Sequence, residues 1–152
     1  MLKKTILFLA ANFSALYIGS LFTKNGVASS WYQTLNKAPW TPPGWVFGSA
    51  WTFIMICFAI YMAYLLESRV NKQSVIFIFL IQLILNIAWN PIFFYFQSIT
   101  FGMICIWLLT LLIAFLFFNY RAILKLKTLF LVPYLVWLVI ASSLNLYILF
   151  YN

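Results

Sequence analysis

The chain has 152 residues, of which 66% are hydrophobic and 7% charged, with a formal net charge of +8, one acidic residue and no histidine. Average globular usage is about a quarter charged, so this composition excludes a soluble domain. It also excludes chemistry that needs a carboxylate pair, a Ser-His-Asp or Cys-His constellation, or a His/Cys/Asp/Glu metal site.

Five stretches reach the length of about 20 mostly apolar residues that crosses a hydrocarbon core: about 5–23, 44–66, 74–96, 100–119 and 128–151. They use most of the chain. The expected fold is all-α and integral to the membrane, a five-transmembrane-helix bundle forming one domain over 1–152. Barrel strands would show short alternating segments, and helices satisfy their own backbone groups in lipid.

Lys3 and Lys4 precede the first span, which contains Asn12 and Ser14. With Gly26-Val27-Ala28 this start has the outline of a cleaved signal peptide, but the apolar run is long for one. The loop 24–43 is the one long connection. Pro39, Pro42 and Pro43 restrict their own backbone and that of the preceding residues, and the loop aromatics form a surface that seeks cover. A partly helical lid over one end of the bundle is expected, with an aromatic belt at the headgroups as the alternative.

Pro43 falls at or just before the first turn of span two, where a missing N–H costs least. Gly44-x-x-x-Gly48 follows, a spacing that lets helices approach closely. Glu67, near Arg69, reads as an interfacial anchor. Cys57 and Cys105 lie within spans two and four, where apolar surroundings leave a thiol inert. Pro91 and Pro133 are expected kinks in spans three and five, and a short uncharged turn around Gln97-Ser98-Ile99-Thr100 joins spans three and four.

The positive charge does not mark a nucleic-acid binder, because the basic residues lie between spans rather than along one face. They read as topology signals. Lys3, Lys4, Arg69, Lys72, Arg121, Lys125 and Lys127 share one side, against Lys24 and Lys37 on the other. The N-terminus is therefore expected inside and the C-terminus outside, with loop 24–43 outside. No ionisable group falls in the middle of a span, which argues against an ion-coupled pump, and there is no GxGxxG or Walker loop.

What remains is aromatic surface and amides. Trp51, Met55, Phe58 and Met62 share one helical face, as do Tyr134, Trp137, Ala141 and Asn145. Gln82, Asn86 and Asn90 lie four apart, with Trp89 beside Asn86. Buried amides in lipid seek partners on other helices, so Gln82, Asn86 and Asn145 read as glue between spans, with a ligand role as strong an alternative for Gln82 and Asn86. Three such stripes beneath an aromatic lid describe a pocket for a large, flat, amphipathic ligand. Ring stacking there adds about 0.5–1.5 kcal/mol per aromatic pair, and Lys37 at the mouth is placed to meet a carboxylate. A porphyrin fits, a sterol less well. Haem iron usually takes His, Cys, Met or Tyr; without histidine, metal-free protoporphyrin is expected to suit the site at least as well as haem.

The stretch from Trp31 to Trp51, WYQTLNKAPWTPPGWVFGSAW, concentrates tryptophan and proline in a particular spacing. Gln82-Leu83-x-Leu85-Asn86-x-x-Trp89-x-x-x-Phe93-Phe94 and Pro133-Tyr134-Leu135-x-Trp137 through Ala141 to Leu144-Asn145 follow it. Together they resemble the signature of the TspO/MBR family, the tryptophan-rich sensory proteins and mitochondrial translocator (peripheral benzodiazepine receptor) proteins, over most of the chain. The resemblance implies a five-helix membrane bundle, usually a homodimer, that binds porphyrins, cholesterol and benzodiazepine-site drugs below the first loop. Carried onto matching positions, it implicates Trp31, Tyr32, Trp40, Trp51, Asn86, Trp89, Trp137, Ala141 and Asn145 in ligand binding.

Bacterial relatives are linked to tetrapyrrole and stress responses, and light-dependent breakdown of protoporphyrin is described in the family. If shared here, it implies Trp51 and Trp137 as catalytic residues, their electron-rich indoles acting as reductants. The sterol motif of animal members, L/V-x-Y-x-K/R, is incomplete, because no Lys or Arg follows Tyr147. This and the short tail imply a bacterial member, placed in the cell membrane. The expected function is binding of protoporphyrin IX, as ligand or substrate with no tightly bound cofactor, for sequestration, sensing or disposal. The alternatives are a light- and oxygen-dependent protoporphyrin-degrading enzyme and a sterol or lipid carrier.

Overall fold

The computed structural model describes residues 1–22 and 26–152. Its helices are α1 (Leu2–Leu21), α2 (Ser30–Thr34), α3 (Gly44–Glu67), α4 (Lys72–Asn90), α5 (Ile99–Leu124) and α6 (Val132–Tyr151). There is no strand among the described residues. Residue 23 of the first expected span and Lys24, expected on the loop side, lie outside the described residues. Four helical runs are long and apolar enough to cross a membrane, and the last, Ile99–Tyr151, holds both α5 and α6. Leu7, Phe53, Phe77, Leu111 and Val139 are each more than half exposed on the outside of the bundle. A helix apolar all round belongs in a large core or in lipid.

Local chemistry sets the helix ends. The Asn71 side chain accepts from Gln73 N at 3.0 Å and Ser74 N at 3.2 Å, starting α4; an Asn N-cap satisfies amides that have no helical partner. Ser29 caps α2 in the same way, accepting from Tyr32 N. Pro43 stands immediately before α3. At Pro91, α4 passes into a wider turn over Pro91–Tyr95, in which Phe96 N donates to Pro91 O. The turn to α5 then runs through Gln97, a non-glycine residue at φ 53°.

Two expected boundaries shift at the other end. Helix α5 runs past 119 to Leu124 because Tyr120 and Leu124 continue its buried face. Lys125, at φ 51°, then ends it, and a 3-10 segment over Lys125–Leu131 leads into α6. Residues 128–131, expected in span five, belong to that segment. Pro133 consequently sits in the first turn of α6, where a missing N–H breaks nothing. It starts a helix instead of kinking one.

Helix α3 is central. Met55, Phe58 and Met62 are at most 1% exposed, and the Tyr61 hydroxyl donates to Leu116 O of α5 at 2.9 Å. Helix α1 is tied to it by Asn12 Nδ2 donating to Met55 O at 3.1 Å. On its other side α1 meets α4 through Phe8 and Phe79, edge to face at 4.7 Å. Further along, Gly19 lies so near α4 that a Cβ there would stand 2.6 Å from Asn90 Nδ2.

The two ends of the bundle differ in charge. At one, Glu67 Oε1 meets the Met1 amino group at 2.5 Å and Lys4 Nζ at 3.5 Å, rather than Arg69. Lys127 Nζ lies 4.2 Å from the centre of the Tyr64 ring, so the 3-10 segment shares this end. At the other, Asn36 N donates to Asn152 Oδ1 and Asn36 Nδ2 to Tyr151 O, both at 2.9 Å, fastening the loop to the end of α6.

Candidate functional site

Beneath the loop the helices diverge around a cavity of about 450 Å³, within the roughly 300–1,000 Å³ range of small-molecule sites. Helix α3 contributes Phe47, Gly48, Trp51 and Thr52; α6 contributes Trp137, Leu138, Ala141, Leu144, Asn145 and Ile148. Asn86, Trp89 and Asn90 come from α4, and Phe93 and Phe94 from the wide turn after it. Ile106 and Leu109 of α5 and Leu16 and Ser20 of α1 close the sides, while Gly26, Val27 and Tyr32 of the loop complete the wall.

The indoles are held by other rings. Trp51 meets Tyr134 edge-on at 5.8 Å and Trp137 meets Phe47 edge-on at 5.5 Å. Trp89 stacks on Phe93 at 5.2 Å, one turn apart, with 10° between the planes. Tyr32 packs on Phe93 and Phe94, and burial pushes its phenol above the ordinary value of 10.0.

The amides divide into two kinds. Gln82 Nε2 donates to the Tyr134 hydroxyl at 3.0 Å and Asn86 Nδ2 to the same oxygen at 2.5 Å, joining α4 to α6. Asn145 differs. It is 3% exposed, yet among the described residues neither its side-chain nitrogen nor its oxygen has a hydrogen-bond partner, and Trp89 Nε1 has none either. A buried polar group left unpaired costs about 1–3 kcal/mol. Trp89 and Asn145 thus line the cavity with these polar atoms unpaired among the described residues and covered by their neighbours.

No charged side chain lines the cavity among the described residues. Lys37, expected at its mouth, donates from Nζ to Tyr32 O at 3.0 Å and Gln33 O at 3.2 Å, closing the end of α2. No group of three His, Cys, Asp or Glu side chains gathers among the described residues.

Of the nine positions singled out from the sequence, Tyr32, Trp51, Asn86, Trp89, Trp137, Ala141 and Asn145 line this one cavity. Trp31 and Trp40 do not. Trp31 packs edge-on to Phe93 from outside at 5.4 Å, and Trp40 is 56% exposed, its Nε1 donating to Ser143 Oγ at 3.2 Å. Lining residues outside those nine include Phe47, Gly48, Thr52 and Asn90. Asn90 lies four residues after Asn86 and Phe47 four before Trp51, so helical spacing from chosen residues reaches both. Ile106 and Leu109 sit in an unbroken apolar run that carries no such signal.

The profile of the TspO/MBR family matches residues 6–151. The tryptophan-rich protein TspO of Chlorobaculum tepidum is 38% identical over 139 residues, covering 90% of this chain and 87% of that protein. The tryptophan-rich protein TspO of Archaeoglobus fulgidus is 34% identical over 141 residues, covering 90% and 88%. The translocator protein of Homo sapiens is 31% identical over 134 residues, covering 85% and 78%.

Proposed function

The chain belongs to the TspO/MBR family of membrane proteins, and from that premise we propose that its cavity binds a metal-free tetrapyrrole, protoporphyrin IX, for sequestration, sensing or disposal. The observation that carries this reading is the pairing of aromatic walls with the idle polar atoms of Asn145 and Trp89. Indole faces suit a flat π-system, and a ligand that draws the Asn145 amide into a hydrogen bond offsets the cost of burying it. Among the described lining residues only Tyr32 has the chemistry of a haem iron ligand, since none of them is His, Cys or Met. The macrocycle's carboxylates belong at the mouth, because burial of an unpaired carboxylate is prohibitive.

In this reading five helices, α1 and α3 to α6, cross a bacterial cell membrane. The seven cations of the basic end lie inside and loop and C-terminus outside, as the rule of positive charge inside requires. A second reading is a light- and oxygen-dependent porphyrin-degrading enzyme, favoured by the placement of Trp51 and Trp137 on the same cavity. The bound porphyrin supplies light absorption. The protein supplies two electron-rich indoles, fixed edge-on by Tyr134 and Phe47.

Titration of metal-free protoporphyrin into purified protein, dark and then illuminated, tests both readings. Saturable dark binding supports the first, and its absence sinks it. Bleaching to a defined product in wild type, but not in Trp51→Phe or Trp137→Phe, supports the enzyme. Equal bleaching in all three leaves a binding protein.

A further inference from the structure

We infer that the cavity exchanges its ligand sideways with the bilayer, through a window between α1 and α3 whose width Gly48 sets; the ligand is then a membrane-dissolved compound rather than one arriving from water. This rests on the cavity being the binding site.

Among its described lining residues, the exposed ones are Ser20 on α1 and Gly48 and Thr52 on α3. The others are buried or half-buried, the loop residues included. A Cβ built on Gly48 meets no atom of the described residues within 4 Å, whereas one on Gly44, a turn earlier, meets Val27 Cγ2 at 3.3 Å. Below the gap, Asn12 Nδ2 holds Met55 O at 3.1 Å. The opening is thus bounded by Val27 on Gly44 at one edge and by Asn12 on Met55 at the other.

Depth places this window in lipid. Gly48 and Thr52 lie about 6 and 12 Å along α3 from its first residue, at 1.5 Å per residue. Trp45, Phe53 and Tyr17 flank the gap at 74%, 58% and 66% exposure, an apolar surround suited to acyl chains. The aqueous route is shut by comparison. Tyr32 and Ala38 of the loop are 6% and 4% exposed, and the loop is fastened by Asn36 to Tyr151 and Asn152 and by Trp40 to Ser143. A glycine is the residue that keeps such a window clear, because any side chain there projects into the gap.

The test needs no ligand. A bilayer-dissolved aryl diazirine is photolysed with the protein in liposomes, and labelling is read by mass spectrometry at Ala141 on the cavity wall and at Val139 on the lipid face. Wild type should label at both. Gly48→Leu should lose about fivefold or more at Ala141 with Val139 unchanged, and Asn36→Ala, which loosens the loop, should leave both unchanged. Absence of label at Ala141 in wild type, indifference to Gly48→Leu, or a rise at Ala141 in Asn36→Ala would each overturn the window. Protection of Ala141 by added protoporphyrin reads occupancy of the site separately, so a wrong ligand and a wrong route give different results.

Discussion

Asn86 of α4 donates to the hydroxyl of Tyr134 on α6 across 2.5 Å, and Gln82, one turn earlier, donates to the same oxygen at 3.0 Å. One phenol thereby joins two helices. Tyr134→Phe removes the acceptor, stranding the Gln82 donor and leaving Asn86 Nδ2 only its longer bond to Gln82 O at 3.3 Å. Hydrogen bonds between helices in membranes average below 1 kcal/mol, but stranded donors add their own desolvation. The expected loss is about 1–2 kcal/mol, measured as lower thermal stability in detergent.

Asn145 should behave in the opposite way. Its amide has no partner, so Asn145→Leu, similar in volume and free of polar atoms, should leave stability unchanged or raise it. The same change should weaken protoporphyrin about tenfold, which corresponds to 1.4 kcal/mol. Asn86→Leu is the contrast and should lower stability, since it breaks the bond to Tyr134. An unaltered porphyrin affinity in Asn145→Leu would remove that residue from the ligand's contacts.

The same comparison shows how far the sequence could be read. Trp51, Trp89, Trp137 and Asn145 were legible because a 3.6-residue period places them on inward faces whatever the neighbours are. Asn86 and Asn145 look alike in sequence, and only the position of Tyr134, 48 residues from Asn86, separates a crosslink from a free amide. Trp31 and Trp40 share the composition of the site without its location, because the path of a proline-rich loop follows no period. The space beside Gly48 was equally hidden. Small residues at that spacing mark a close approach as readily as a gap, and the partner surface decides which.

Two glycines turn that ambiguity into a measurement. Alanine is favoured over glycine within a helix by about 1 kcal/mol, so both Gly48→Ala and Gly19→Ala gain the same intrinsic term. At Gly48 the new methyl meets open space and stability should rise by up to about 1 kcal/mol. At Gly19 it would stand 2.6 Å from Asn90 Nδ2, so Asn90 must swing aside and α1 loses its fit on α4. Overpacking of this kind costs about 1–3 kcal/mol. Melting temperatures of the two variants should therefore move in opposite directions.

Binding should be insensitive to pH near neutrality. Among the described residues no Asp, Glu, Lys, Arg, Cys or His lines the cavity, and burial holds the Tyr32 phenol above its ordinary value of 10.0. A raised folded-state pKa gives a stability contribution that is complete below the unfolded value and lost as pH rises through the folded one. Stability should thus fall only in strong alkali. Affinity for an uncharged tetrapyrrole ester, measured across the neutral range, should stay flat; a step near neutrality would implicate a group beyond the lining.

The fastening of the loop also sets the order in which the protein is made. Asn36 emerges from the ribosome early, but Tyr151 and Asn152, which hold it, follow 115 and 116 residues later. At about 5–20 residues per second of synthesis, Asn36 waits at least several seconds for its tether. During that interval α3, α4 and α5 can assemble around Tyr61 and Met55, and Trp31 and Tyr32 can already settle on Phe93 and Phe94, but the far half of the roof has nothing to hold it. The roof is thus closed in two stages, and a hydrophobic compound present at the insertion site can be enclosed as the last helix arrives.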